Sequence, residues 1–209
     1  MILPNTITPA QFSSGTTNAD PVAVVDVGSN SVRLVVYDQA KRAPIPVFNE
    51  KVLCGLGRGL DSTGRLNPDG AKLALKSLQR FAALAKAMHI SDIDAFATAA
   101  VREAIDGSDL VTEIENNCGF PVQIISGEEE ARLSGLGVLS EIPDANGFMA
   151  DLGGASLEIA HLDNGLNVDQ TSLPIGPLRS PKKKGRKDVR KSIGNKISQI
   201  NWLVPTNKS

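Results

Sequence analysis

Apolar residues near the start of the chain recur in short runs broken by glycine, the pattern of strands rather than of a helix. Val22 to Val27, then Gly28-Ser29-Asn30, then Ser31 to Tyr37 predict two β-strands joined by a tight turn. A third strand is expected over Pro46 to Leu53. The period then changes. Asn67 offers an N-cap, Pro68 a first helical residue and Asp69 an acid in the first turn, and Ala71, Leu75, Leu78, Ala82, Ala85 and Met88 follow at steps of three and four. Together they predict an amphipathic helix to about His89 whose apolar stripe covers a sheet. Further on, strands are expected over Ile93 to Thr98 and Val122 to Ser126, and helices over Asp109 to Asn117, Glu128 to Leu139 and Val189 to Leu203. Strands alternating with helices indicate an α/β fold with a mixed sheet. Residues 1–20 have no periodicity and are rich in Thr, Ser, Asn and Pro, so a mobile arm is expected there.

The pattern contains an echo. Asp26-Val-Gly28-Ser-Asn-Ser31 recurs as Asp151-Leu-Gly153-Gly-Ala-Ser156, each copy between two apolar strands, at a constant offset of 125 residues. That offset is too long for a solenoid repeat and fits a duplicated lobe, with two glycine hairpins facing each other across a cleft.

Composition narrows the function classes. The chain has 209 residues, 41% hydrophobic and 22% charged, as in an ordinary globular protein. No run approaches the ~18 apolar residues of a bilayer helix, so no membrane association and a cytoplasmic location are expected. Cys54 and Cys118 are too few for a disulfide framework and lack zinc-site spacing. The net charge of -1 hides a split: residues 1–178 carry 12 basic and 22 acidic side chains, residues 179–209 carry 10 basic and one acidic. An acidic body argues against a specific nucleic-acid surface, which leaves the run Lys182 to Lys187 as either a polyanion contact or a solvated tail. His89 and His161 are isolated, and aromatic residues at 4% offer no stacking platform.

The remaining chemistry is that of phosphate. In D-x-G-x-x-S between strands, glycine admits backbone angles closed to other residues, its exposed amides can point at one anion, and the Ser hydroxyl adds a donor. The strand-end Asp would repel phosphate directly but suits a magnesium ion bridging to it through water. A ligand-free hairpin would look the same; the paired form is what favours phosphate. Between the hairpins, Ser126-Gly127-Glu128-Glu129-Glu130-Ala131-Arg132 places three carboxylates at a helix start. The dipole accounts for two of them, and a third facing a cleft would have a raised pKa and suit a general base. Arg102, at a strand end, could hold phosphate by its planar fork or pair with Glu103 or Asp106.

These residues resemble the exopolyphosphatase and guanosine pentaphosphate phosphohydrolase (Ppx/GppA) family, a branch of the actin, Hsp70 and sugar kinase superfamily. The resemblance rests on Asp26 to Arg33, Leu56 to Leu60, Ala97 to Ala104, Ile125 to Arg132, Asp151 to Glu158 and Ser172 to Gly176, in order, over about residues 21–179. It implies an α/β actin-like ATPase (ribonuclease H-like) fold, with one complete lobe at 21–125 and the start of a second at 126–179. After that comes a basic, divergent tail at 180–209, of the kind a truncation or frameshift would leave. It further implies that the hairpins bind phosphate through Gly28, Ser29, Asn30, Ser31 and Arg33 and through Gly153, Gly154, Ala155 and Ser156, with Arg102 beside them. Glu130 falls on the base that activates water, and Asp26, Asp151 and Glu158 fall on the magnesium environment.

The activity implied is magnesium-dependent phosphoanhydride hydrolysis of inorganic polyphosphate, of guanosine pentaphosphate (pppGpp, the stringent-response nucleotide), or of both. Full-length relatives are expected to form homodimers. The alternative is a catalytically weak remnant that binds phosphate chains. Two departures bear on this: the second hairpin of the family usually reads D-I-G-G-G-S-T-E, whereas Ala155 and Leu157 stand here. If position 155 required a positive φ, Ala would strain the turn by roughly 1 kcal/mol.

Overall fold

The computed structural model describes residues 20–179 and 186–203, without the side chains of 186–189 and 192. The arm expected at 1–20, Asp20 excepted, lies outside the described residues. So do Lys182 to Gly185 of the basic run.

The first glycine hairpin pairs β1 (Val22–Val27) with β2 (Ser31–Tyr37), and β3 (Pro46–Leu53) adds to the outer edge of β2. Two helices follow, α1 (Leu60–Thr63) and α2 (Pro68–Ala87). Next, β4 (Asp92–Ala97) joins the free edge of β1 in parallel, leading into α3 (Ala99–Glu103) and α4 (Gly107–Cys118). Last, β5 (Gln123–Ile124) completes a five-stranded sheet of order β3-β2-β1-β4-β5. After α5 (Gly127–Glu141), β6 (Gly147–Leu152), β7 (Leu157–Asp163) and β8 (Leu166–Leu173) form an antiparallel sheet of order β6-β7-β8, and α6 (Arg186–Ile197) follows. The α/β expectation holds: the first sheet is mixed, with parallel crossovers through helices. No helix among the described residues is long and apolar enough to cross a membrane.

Several local expectations shift. The strand expected over Val122 to Ser126 shrinks to two residues, because Val122 N–H donates to the Glu115 carboxylate and Ser126 becomes the N-cap of α5. Asn67 stands at the N-cap of α2 but its side chain does not cap. Its amide donates instead to the Gly55 carbonyl. The buried stripe of α2 runs through Ala74, Leu78, Phe81 and Ala85, with Ala71, Leu75 and Ala82 half-buried at its margin and Met88 exposed. The short helices α1 and α3 were not signalled, since four or five residues cannot show a helical period. Beyond Ile197 the chain turns rather than continuing as helix to Leu203.

Packing differs between the sheets. Twenty-three buried apolar residues from β1, β2, β4, α2, α4 and their loops form one core, with Leu34, Leu78, Phe81 and Ile114 essentially sealed. The second sheet buries a cluster of three, Leu139, Ala160 and Leu162, beneath α5. There α5 approaches closely: a Cβ at Gly135 would lie 2.5 Å from Asn167 Nδ2 and 3.3 Å from the Ala160 Cβ. The opposite face of this sheet receives the end of the chain. Trp202 stacks on His161 and Phe148, and Ile200 is buried.

Candidate active site

The two hairpins are built alike to the residue. In the first, Gly28 N–H donates to the Ser31 carbonyl at 2.9 Å; in the second, Gly153 N–H donates to the Ser156 carbonyl at 2.9 Å. All six strand pairs of β1 and β2, from Val22↔Tyr37 to Val27↔Val32, reappear in β6 and β7 as Gly147↔Leu162 to Leu152↔Leu157, each shifted by 125. The hairpins meet tip to tip, since a Cβ on Gly154 would lie 3.0 Å from the Asn30 Cβ.

Crowding, not backbone angle, is why glycine is needed at positions 28 and 154, whereas a Cβ on Gly153 would make only ordinary contacts, 3.5 Å from the Ser156 carbonyl oxygen. Neither Gly28, Gly153 nor Gly154 has a left-handed φ, but a Cβ on Gly28 would come 3.1 Å from the Ser31 carbonyl oxygen. The expectation of φ freedom is corrected accordingly. The same observation removes the strain considered for Ala155, because the only described non-glycine residues with left-handed φ are His89 and Asn164.

A cleft of about 410 Å³ lies between the hairpins. Its lining includes Asp26, Gly28, Ser29, Asn30, Ser31 and Arg33 from the first sheet, Glu130 from α5, and Asp151, Gly153, Gly154, Ser156 and Glu158 from the second. Two of the expected phosphate ligands are placed elsewhere. Ala155 is buried and does not face the cleft. Arg102 stands behind Glu130 and lines an adjoining cavity of about 390 Å³. Its Nη1 donates to the Ile125 carbonyl at 2.7 Å and meets Glu130 Oε2 at 3.3 Å, so it pairs with neither Glu103 nor Asp106. Ser29 has a structural duty besides lining the cleft, because its hydroxyl accepts from Ala100 N–H and anchors the start of α3.

Register explains the charges. Asp26 pairs with Arg33, and Arg33 pairs with Lys51, so one acid and two cations run in a row across β1, β2 and β3. The corresponding row in the second sheet is Asp151, Glu158 and Ser172, with Ser172 Oγ donating to Glu158 Oε1 at 2.8 Å. Lys51, Thr98, Leu152 and Pro177 also line the cleft and were not picked out from the sequence. For Lys51 a signal existed: as a polar residue on β3 opposite Arg33, it is betrayed by strand pairing, which a single strand does not reveal.

Of the three acids opening α5, one enters the cleft. Glu129 is forked by Arg132 at 2.7 Å, which holds its carboxyl below the usual range, and Glu128 accepts from Gln170. Glu130 has a side chain 18% exposed, and burial, then the Glu158 charge, push its pKa up to about 7, with Arg102 opposing and Asp26 adding a little. Burial likewise raises Asp26 to about 6 against the pull of Lys51 and Arg33, with Asp151 contributing. A cleft that collects carboxylates at this cost is suited to a cation. Among the described residues no group of three or more His, Cys, Asp or Glu side chains is gathered closely enough for direct ligation. Asp26, Asp151 and Glu158 could therefore supply at most one or two direct carboxylate ligands to such an ion.

Several known proteins are similar to this chain over most of its length. The pattern of the Ppx/GppA phosphatase family matches residues 15–189. Exopolyphosphatase 1 of Mycobacterium tuberculosis is 32% identical over 164 residues, which are 76% of this chain and 47% of that protein. The chain thus spans about half the length of the curated relatives it matches. Among solved structures, an exopolyphosphatase from Cytophaga hutchinsonii superposes with a TM-score of 0.75 at 27% identity, covering 88% of this chain and 61% of the other. A Ppx/GppA family member from Aquifex aeolicus gives 0.69 at 25% identity, covering 86% and 60%.

Proposed function

Since the chain belongs to the Ppx/GppA phosphatase family, we propose that it is a magnesium-dependent phosphoanhydride hydrolase releasing phosphate from inorganic polyphosphate or guanosine pentaphosphate. The observation that carries this reading is Glu130: a carboxylate raised to about 7, turned into a cleft with a glycine hairpin on either side. Such a group is a general base near neutral pH. The hairpin amides other than those of Gly28 and Gly153, which close the turns, and the hydroxyls of Ser31 and Ser156 supply donors for phosphate oxygens, and Arg33 and Lys51 supply positive charge on the first-sheet wall. Arg102 orients the Glu130 carboxylate through its Oε2. Magnesium, when bound near Asp26, Asp151 and Glu158, would offset phosphate charge. The attacking water gives its proton to Glu130.

The test is phosphate release from long-chain polyphosphate and from guanosine pentaphosphate with magnesium. Glu130→Gln should lower turnover by ~10²–10⁴ with affinity nearly unchanged, and Glu128→Gln should do much less. Because the base must be ionised, kcat/KM should rise as pH increases through about 7. Equal losses in the two variants would replace the base with a general effect of helix-start charge. A second reading, a phosphate-chain binder with little turnover, is favoured by the second sheet, whose strand β6 has no partner on its outer side among the described residues. Binding without release in the unmodified chain would establish it.

A further inference from the structure

We propose that Arg179 is a positioning residue, a latch that fastens the second hairpin to the first lobe and fixes how far apart the two hairpins stand. The proposal rests on the phosphate-binding reading of the hairpins. Its geometry does not. Arg179 Nε donates to the carbonyl of Ala155, inside the second hairpin. The other two nitrogens of the same planar group reach the first lobe: Nη1 meets Asp61 Oδ1 of α1 at 3.2 Å, and Nη2 meets Glu103 Oε2 at the end of α3 at 2.6 Å. The Arg179 side chain is 17% exposed, whereas Asp61 and Glu103 are 48% and 38% exposed, so the arginine is seated and its partners close over it from the rim.

The surrounding turn reinforces the latch. Leu178 N–H donates to the Gly154 carbonyl at 2.9 Å, and Arg179 N–H closes the turn on Gly176. A Cβ on Gly176 would collide with the Gly154 carbonyl and the Ala155 Cα. The Leu178 side chain wedges between the lobes, with Cδ1 3.1 Å from where a Gly154 Cβ would stand and 3.5 Å from that of Gly57. Gly57 in turn backs the first hairpin, donating to the Ser29 carbonyl at 2.8 Å. A closed circuit results: the Ser29 hydroxyl anchors Ala100 at the start of α3, Glu103 ends α3, and Arg179 carries the connection to Ala155. One fork therefore ties the second hairpin to α1 and to α3, the helix that the first hairpin's Ser29 anchors, a geometry that suits guanidinium and not a lysine ammonium.

A ligand with adjacent phosphates must touch both hairpins. If their separation is set beforehand, binding does not bear the cost of ordering them. An orthophosphate occupying one hairpin has no such need. In calorimetric titrations with magnesium, Arg179→Ala should bind tripolyphosphate about tenfold more weakly and orthophosphate unchanged. Hydrogen exchange over 153–156 should accelerate about tenfold. Arg179→Lys should not rescue either effect, and Glu103→Gln, which removes one arm at the exposed rim, should give a smaller change of the same kind. Glu103→Gln decides the matter if Arg179→Ala does not fold. Equal weakening of the two anions, or unaltered exchange at 153–156, would overturn the latch. If the unmodified chain binds neither anion, the phosphate reading falls, and the exchange data alone judge whether Arg179 holds the second hairpin.

Discussion

In the first sheet, β1 has β2 on one side and β4 on the other, and its alternate residues Ala23, Val25 and Val27 are buried with none fully exposed. In the second, β6 has β7 on one side and nothing described on the other, and Phe148, Ala150, Asp151 and Leu152 are all exposed. Hairpin and register are the same, so the difference comes from what surrounds them. The chemistry of the rows diverges as well: Asp26, Arg33 and Lys51 against Asp151, Glu158 and Ser172. Duplication accounts for two equivalent glycine hairpins. A difference at one equivalent position, Arg33 in the first hairpin and Glu158 in the second, gives one wall positive charge where the other has negative.

The most severe test of this contrast is in the cores. Phe81, 1% exposed in the large core, should cost about 3–5 kcal/mol when cut to alanine. Trp202 is the single tryptophan and it stacks on the second sheet, so its fluorescence reports that sheet alone. In urea, the Trp202 transition of the unmodified chain should precede the loss of far-UV dichroism, and Phe81→Ala should move the dichroism midpoint far more than the fluorescence midpoint. Coincident transitions in both proteins would mean that the two sheets unfold as one unit, despite the three-residue core of the second.

Much of this arrangement was legible in the sequence because it is local or repeated. The hairpins follow from short apolar runs around D-x-G, and their kinship from the 125-residue echo. An inward-facing acid could be expected because three glutamates follow Gly127 at the start of α5, and the family resemblance pointed to Glu130, although which carboxylate turns inward depends on Arg132 capturing Glu129. What could not be read depends on contacts distant in the chain. Arg102 was open between phosphate and two sequence neighbours, and its actual partners, Ile125 and Glu130, lie 23 and 28 residues away. Lys51 becomes a cleft residue only when β3 pairs with β2 at Arg33. Arg179, 24 residues from Ala155 and 118 from Asp61, has no local signature at all.

Next in size is a dependence on pH without metal. Asp26 and Glu130 have native pKa values of about 6 and about 7, above their ordinary 3.8 and 4.5. The folded state therefore holds these protons more tightly than the unfolded state. Their contribution is fully present below about pH 4 and is lost as pH rises through 6 and 7, by about 3 kcal/mol each. In the presence of a chelator, Glu130→Gln should raise the melting temperature at pH 8 by several degrees and change it little at pH 4. Magnesium should narrow the gap at pH 8. A variant effect of equal size at both pH values would show that charge burial is not its origin.

A smaller effect should separate the two rows. Arg33→Ala or Lys51→Ala should raise KM for polyphosphate roughly tenfold, the scale of one charge-assisted hydrogen bond, with the magnesium requirement unchanged. Asp151→Asn or Glu158→Gln should instead raise the magnesium concentration for half-maximal activity. A magnesium titration superimposable on that of the unmodified chain in both second-row variants would remove these residues from the metal environment and undo the division of labour between the walls.

The smallest change in stability is expected where the contrast is most visible, on the outer side of β6. Leu152 is 62% exposed, so Leu152→Lys removes little buried area and should alter folding stability by no more than ~0.5 kcal/mol. Its consequence lies in association. An unpaired strand edge carrying exposed apolar side chains is a template for pairing with other chains, and a lysine there disfavours close approach of a second strand. The β1 edge equivalent to it is covered by β4 with Val27 fully buried, so the first hairpin offers no such template. Light scattering of concentrated protein should therefore show less self-association for Leu152→Lys than for the unmodified chain, at equal melting temperature. The exposed Leu73 on α2, changed to lysine, should leave association as it was. If both lysines suppress association equally, added charge is the cause, and the open edge of β6 is not the surface through which the chains meet.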